Sequence, residues 1–392
     1  MAERRRIIEC WKRGEHWKRG EAGVLVTLVD VEGSSYRRPG AHLLIGADSE
    51  CVGMVSGGCL EAEVVRKAMW AVRAGAVVER YSTLFDDTAE IPFGLGCGGV
   101  IDLLLEPAET AECRALLEAM EASLDGVETR VATWLPDSQR PLRRAIFGEG
   151  GSVIFASEGL SAVEIERVRI ASSSAELAAD ILGDARVYVE TLAAPQRLVV
   201  LGAGEDAKPV VTMAALLGWS VTVADGRAQL ARVERFPEAE HMIAIQSDRF
   251  HPDELQLRAK DAVVLMTHSY EQDRALLTAL LAPLSGSAGE VPGYIGLLGA
   301  ARRSSLLIAE TATALGASVA ECCARVWAPV GLDLGGDGAE AIALAIVAEV
   351  QAWREGKLAA SRRLTAEQVA EHIAEGGASK YLQVQCALDA AR

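Results

Sequence analysis

The chain has 392 residues, half of them hydrophobic and 24% charged, with a formal net charge of −16. That length accommodates two domains rather than one core, and the composition is globular, neither disordered nor fibrous. The acidic balance excludes a broad phosphate-binding surface, so no nucleic acid is expected as a partner.

No stretch reaches the roughly 18 uncharged apolar residues of a membrane span. The first nine residues, MAERRRIIE, lack the apolar core and cleavage site of a leader, so a cytoplasmic location is expected. Eight cysteines occur, none at CxxC spacing, which argues against a disulfide scaffold or structural zinc site and for reduced thiols.

In chain order, residues 4–18 pattern as an amphipathic helix with Ile7, Ile8 and Trp11 on one face. Residues 23–31, 41–45 and 52–55 pattern as strands between Gly/Ser/Pro turns, and 60–74 as a helix directly after Ser56-Gly57-Gly58-Cys59. Strands at 76–82 and 100–105, a helix at 107–120, and a meander at 127–134, 142–147 and 152–155 follow, with a last strand at 186–191. The expected first domain is therefore mixed α+β over residues 1–194.

Past Ala193-Ala194-Pro195-Gln196 the pattern changes. Strands at 197–201, 220–224, 262–266 and 294–298 alternate with helices at 207–217 and 272–281, which is the signature of βαβ units and a parallel sheet. A second domain over 195–356 is expected, closed by a helix at 339–353. A helical tail over 357–392 begins at the Thr365–Gln368 capping box.

The run Leu198-Val199-Val200-Leu201-Gly202-Ala203-Gly204-Glu205-Asp206-Ala207 is a buried strand entering a glycine turn and then a helix. Gly202 permits the tight turn, Gly204 lets a pyrophosphate approach the backbone, and Ala207 keeps helix and strand close. Asp225, at the end of the next strand, stands where a carboxylate holds a ribose hydroxyl. These features specify an α/β fold with a Rossmann-like parallel sheet and helices on both faces, and make NAD(P) or another nucleotide a candidate ligand. Glu205 and Asp206 bring two negative charges to the helix mouth, and Arg227 blurs the choice between NAD and NADP.

Two further segments place a cysteine among glycines: Gly57-Gly58-Cys59, followed by a helix, and Gly96-Cys97-Gly98-Gly99. Exposed backbone and a helix N-terminus favour the thiolate, which can attack a disulfide or persulfide or bind a soft metal; otherwise each cysteine is a small hydrophobe in a tight turn. His268 and Asp273 follow the strand at 262–266, at the carboxyl edge where open α/β sheets bind ligands. Arg302, also at a strand end, is a candidate for anionic groups. His42 reads as a core histidine, and the remaining histidines show no metal-ligand spacing. Glu61 and Glu63 point to different helix faces.

Taken together, GSSYRRPGA (33–41), VSGGCLEAEV (55–64), FGLGCGG (93–99), the LGAGEDA turn, Met266-Thr267-His268 with Asp273, GYIGLLG (293–299) and PVGLDLG (329–335) resemble the XdhC/CoxI family. The resemblance implies an accessory factor or chaperone for xanthine dehydrogenase-type molybdenum hydroxylases. Such a factor binds molybdenum cofactor of the molybdopterin type, assists exchange of an oxo for a sulfido ligand, and delivers the cofactor to the hydroxylase large subunit. It implies a homodimer, with a cysteine desulfurase as a further partner. Cys59 and Cys97 would then be sulfur- or molybdenum-proximal, in a pocket shared with the Gly202 crevice and lined by Gly57, Gly58, Gly98, Gly99 and Arg302. The alternative is an NAD(P)-dependent oxidoreductase built on Gly202, Gly204 and Asp225, with His268 recruited as proton donor.

Overall fold

A computed structural model describes residues 1–13, 23–46, 50–58, 60–82, 99–170, 186–246, 249–282 and 290–358. Helix α1 (Ala2–Arg13) precedes the antiparallel strands β1 (Val24–Glu32), β2 (His42–Ile45) and β3 (Cys51–Gly53). Helix α2 (Glu61–Ala71), β4 (Val77–Ser82) and β5 (Val100–Pro107) complete a sheet of order β3-β2-β1-β5-β4. Strand periodicity sorts its faces. Leu103 and Leu105 of β5 pack with Val24, Val26 and Leu28 against Val64 and Ala68 of α2, which leaves Asp102, Leu104 and Glu106 on the opposite face.

Helix α3 (Ala111–Leu124) is capped by Thr110, whose side chain accepts from the Cys113 amide. It therefore starts later than the expected 107–120, because Pro107 is the last residue of β5. The second antiparallel sheet contains β6 (Thr129–Trp134), β7 (Arg143–Phe147), β8 (Val153–Ala156) and β9 (Val187–Leu192), in the order β8-β7-β6-β9. Helices α1 and α3 lie between the sheets, where Ile7, Ile8, Leu116 and Met120 meet Leu25 and Leu44 of one and Val131 and Ile146 of the other. Helix α4 (Ala162–Ile170), absent from the sequence reading, covers the other face through Val168.

The remaining strands are β10 (Arg197–Leu201), β11 (Ser220–Asp225), β12 (His241–Ala244), β13 (Ala262–Leu265), β14 (Tyr294–Leu297) and β15 (Val326–Trp327), all parallel, in the order β12-β11-β10-β13-β14-β15. This is the doubly wound nucleotide-binding order, with its switch point between β10 and β13. Leu198 and Val200 bury one face beneath α5 (Ala207–Leu216) and α9 (Ala339–Arg354). Val199 and Leu201 bury the other beneath α6 (Tyr270–Leu281) and α7 (Ala301–Leu315), with Cys322 of α8 (Val319–Cys323). Each such side chain contributes about 1.5–3 kcal/mol through burial. Among the described residues no helix is long and apolar enough to cross a membrane.

Candidate functional site

The turn after β10 is shaped by close backbone approach. Gly202 has φ +129°, and a Cβ there would lie 2.4 Å from the Met266 carbonyl oxygen. The Gly202 amide donates to Ala224 (2.8 Å) and the Met266 amide to Leu201 (2.8 Å), so the ends of β10, β11 and β13 are cinched together. Ala207 is fully buried and lets α5 sit close to the strand.

The nucleotide handles at this edge are engaged within the chain. Asp225 Oδ2 accepts from the Ala203 amide (2.7 Å) and Arg227 Nη2 (2.8 Å), and Oδ1 from the Arg227 amide (2.7 Å) and Nε (2.9 Å). Burial pushes this acid up, but Arg227 and the two amides outweigh it and hold the carboxyl below its ordinary range. The ribose-holding role suggested by the sequence would require Arg227 to leave.

The two negative charges at the helix mouth are both paired. Glu205 contacts Lys208 (2.6 Å) and Arg235 (2.6 Å), and Asp206 Oδ2 lies 2.8 Å from His268 Nε2. Asp206 Oδ1 stands 2.4 Å from where a Gly204 Cβ would be, so its carboxylate covers the surface that Gly204 leaves bare. His268 adopts φ +63°, a conformation sparsely used by residues other than glycine.

His268 and Asp273 are not partners. Asp273 is fully buried, accepting from Thr267 Oγ1 (2.7 Å) and Arg303 Nη2 (2.7 Å), and ties the ends of β13 and β14 together. Arg302 is exposed on the first turn of α7, whereas Arg303 folds back onto Asp273 and the Leu298 carbonyl.

Because Asp206 fills the seat in which a Rossmann turn receives phosphate, NADH titrated into the wild-type protein is expected not to saturate below about 1 mM. Asp206→Ala, which removes a charge and uncovers Gly204, is expected to tighten binding about tenfold, or ~1.4 kcal/mol. Intrinsic NADH fluorescence reads both. Micromolar, saturable binding to the wild type would show the seat to be open.

Cys59, Cys97 and Gly98 lie outside the described residues, but the flanks of both loops are placed. A Cβ on Gly57 would meet the Tyr36 ring at 3.3 Å, and one on Gly99 would strike the Ser34 carbonyl at 2.1 Å. Both flanks therefore abut the same turn, residues 33–40. That turn is fixed by Gly40 (φ +92°), whose amide donates to Leu28 (2.9 Å), and by Arg37, which grips both Glu3 oxygens (2.8 and 3.0 Å).

Residues 55 and 56, which lead into the first loop, are pinned by Glu61. Glu61 Oε1 accepts from the amides of Val55 (3.2 Å) and Ser56 (2.7 Å), Oε2 accepts from Ser56 Oγ, and Ser56 Oγ accepts from the Leu60 amide (3.2 Å). Sequence reasoning missed this role because the 56–61 spacing is not that of a capping box. Glu63 faces elsewhere and pairs with Lys67.

The described flanks of the cysteine loops do not adjoin the Gly202 crevice; Cys59 and Cys97 themselves lie outside the described residues. Described contacts between the N-terminal half and the parallel sheet lie at the sheet's amino edge. Ala2 abuts Gly218, Arg5 pairs with Glu240 (2.8 Å), and Glu128 pairs with Lys260 (3.1 Å); these partners precede β11, β12 and β13. Arg37 joins the 33–40 turn to this region through Glu3. The Gly202 turn is at the carboxyl edge, about 16 Å away along a five-residue strand.

His42 is a buried core residue as expected, between Thr27 Oγ1 (3.1 Å) and Glu190 (3.3 Å). Among the described residues no three His, Cys, Asp or Glu side chains are grouped to hold a metal ion.

A Rossmann sheet preceded by a two-sheet α+β half that carries glycine–cysteine loops defines the class of protein. Residues 198–350 match the model described as the XdhC Rossmann domain, and residues 16–82 that of the XdhC and CoxI family. The chain belongs to the XdhC and CoxI family.

It is 28% identical over 331 residues to a probable xanthine dehydrogenase subunit of Bacillus subtilis, spanning 84% of this chain and 92% of the relative. It is 35% identical over 94 residues to the molybdenum cofactor insertion chaperone PaoD of Escherichia coli, spanning 24% of this chain and 29% of that protein. A crystal structure of a xanthine dehydrogenase from Bacillus halodurans superposes with a TM-score of 0.71 at 25% identity, covering 93% of this chain and 99% of the other.

Proposed function

We propose that this chain is an accessory factor that receives molybdenum cofactor at its glycine–cysteine loops, assists its sulfuration, and delivers it to the large subunit of a xanthine dehydrogenase-type hydroxylase. The observation that carries the reading is that the flanks of both loops rest on one turn, residues 33–40. The Escherichia coli relative, a molybdenum cofactor insertion chaperone, supports the cofactor, and the Bacillus subtilis relative supports the acceptor enzyme.

The residues suit the group. Among the described residues nothing lies within 4 Å of a Cβ position at Gly58 (φ +100°), which suits the approach of a bulky ligand to the backbone there. Cys59 and Cys97 offer the soft sulfur donors that molybdenum–sulfur chemistry favours, and exposed Arg38 offers charge for anionic oxygens. When bound, the cofactor supplies the metal and its sulfur chemistry. The chain's part is to present thiols and backbone N–H groups, with Glu61 pinning residues 55 and 56, which lead into the Cys59 loop. Sulfur would come from a cysteine desulfurase, and the factor would act as a homodimer.

Anaerobic incubation with molybdenum cofactor, gel filtration and metal analysis test the reading. The wild type is expected to retain molybdenum, and Cys59→Ala to retain at least tenfold less. Equal retention by both proteins overturns it.

A further inference from the structure

Helix α2 leaves the Cys59 loop directly and has two unlike faces. Val64 and Ala68 are buried against the first sheet, while Ala62, Arg66, Met69, Trp70 and, just past the helix, Arg73 are exposed. Trp70 is 65% exposed, yet it is held: the Arg73 guanidinium stacks 4.4 Å over its ring. An indole braced by a cation and left in water is the pre-ordered aromatic–arginine pair that dominates protein interfaces.

The charge of this face opposes that of the whole chain. Among the described residues Arg66 and Lys67 pair with Glu63, whose side chain is only 12% exposed, and Arg73 lies over Trp70. Glu61, the other acid of the helix, is turned inward onto Ser56. On a protein of net charge −16, this is a basic and aromatic patch beside the candidate cofactor loop.

We infer that the outer face of α2 is the docking surface for the acceptor enzyme, and that it fits an apolar pocket for Trp70 rimmed by carboxylates. The inference rests on the proposed delivery function. Charge complementarity selects the occupant: a second copy meeting this face with its own would set the same basic patch against itself, whereas an acidic rim on the acceptor pairs with Arg66 and Arg73. The site also has the right position, since delivery from Cys59 needs the acceptor to seat next to that loop.

The test is binding of the full chain to the purified, cofactor-free large subunit of a xanthine dehydrogenase-type hydroxylase from the same organism, measured by calorimetry alongside sedimentation of the chain alone. Trp70→Ala is expected to weaken binding by roughly 30-fold, the loss on removing an aromatic hot spot. Arg66→Glu with Arg73→Glu is expected to slow association and flatten its salt dependence. Leu216→Ala, at an exposed apolar position of α5, is expected to bind like the wild type, which shows that the loss at Trp70 belongs to this face.

Thermal melts confirm that the exposed-site variants fold. Unchanged affinity in Trp70→Ala overturns this surface and leaves the delivery function standing. Failure of the wild type to bind the large subunit overturns both. Loss of self-association in Trp70→Ala, with acceptor binding intact, assigns the face to a second copy and overturns the inference.

Discussion

Arg144→Ala is expected to destabilise the N-terminal half by about 3–5 kcal/mol, visible as a fall of about 10 °C in its calorimetric transition. Arg144 is 1% exposed, and its guanidinium is fully engaged. Nη1 and Nη2 each bond a Glu106 oxygen at 2.9 Å, Nη1 reaches the Glu112 carbonyl at 2.7 Å, and Nε donates to Thr133 at 3.0 Å. These bonds clamp β5, β6, β7 and α3 together.

Removing the cation strands the Glu106 carboxylate in the core without its partner, which is costly. Burial, and then the Glu106 charge, push the neighbouring Cys113 thiol well up, so no cation takes the place of Arg144 there. The double variant Arg144→Met with Glu106→Leu separates charge from packing. It is expected to recover most of the loss, because an apolar pair of similar volume replaces a buried ion pair at little cost. A single variant as stable as wild type would show that the clamp contributes nothing.

Gly202→Val is the second large effect, expected at about 3–5 kcal/mol on the parallel sheet. A β-branched residue at φ +129° costs about 1–3 kcal/mol in backbone strain alone. Its Cβ would also enter the Met266 carbonyl, 2.4 Å to the oxygen and 2.6 Å to the carbon, both backbone atoms that cannot rotate away. β10 and β13 must therefore separate at their carboxyl ends, weakening the bond from the Met266 amide to Leu201. Hydrogen exchange at the amides of Val263 to Met266 should accelerate far more than at β12. Unchanged protection there would refute the close-approach argument.

How much of this was legible in the sequence follows from the range over which each feature is determined. β10, β13 and β14 are nearly continuous apolar runs because helices bury both faces, and such runs announce a parallel sheet without any tertiary knowledge. β15 has two residues and β12 four, with His241 exposed, so neither offers a pattern long enough to read. Helix α7 escaped because its sequence, ARRSSLLIAETATAL, mixes serine and threonine through the apolar stripe, and its cap is Ala300, which has no capping side chain.

At the site, local spacing placed Gly202 in the turn after β10, Ala207 at the start of α5 and Asp225 at the end of β11, where the structure has them. It did not place their partners, since Asp206 with His268 is a contact 62 residues apart in the chain. Proximity in sequence joined His268 to Asp273, but the first turn of α6 carries Asp273 inward to Arg303 instead. The placement of the two halves lay furthest from view, because it depends on Arg5, Glu128 and their mates across the amino edge.

That junction has a geometric corollary. With the N-terminal half seated beneath the strands, the molecule is bipolar: the cysteine loops' described flanks belong to one pole, and the Gly202 rim to the other. Among the described residues it is the strands that join the two poles, so communication between bodies seated at the two ends would travel lengthwise along them.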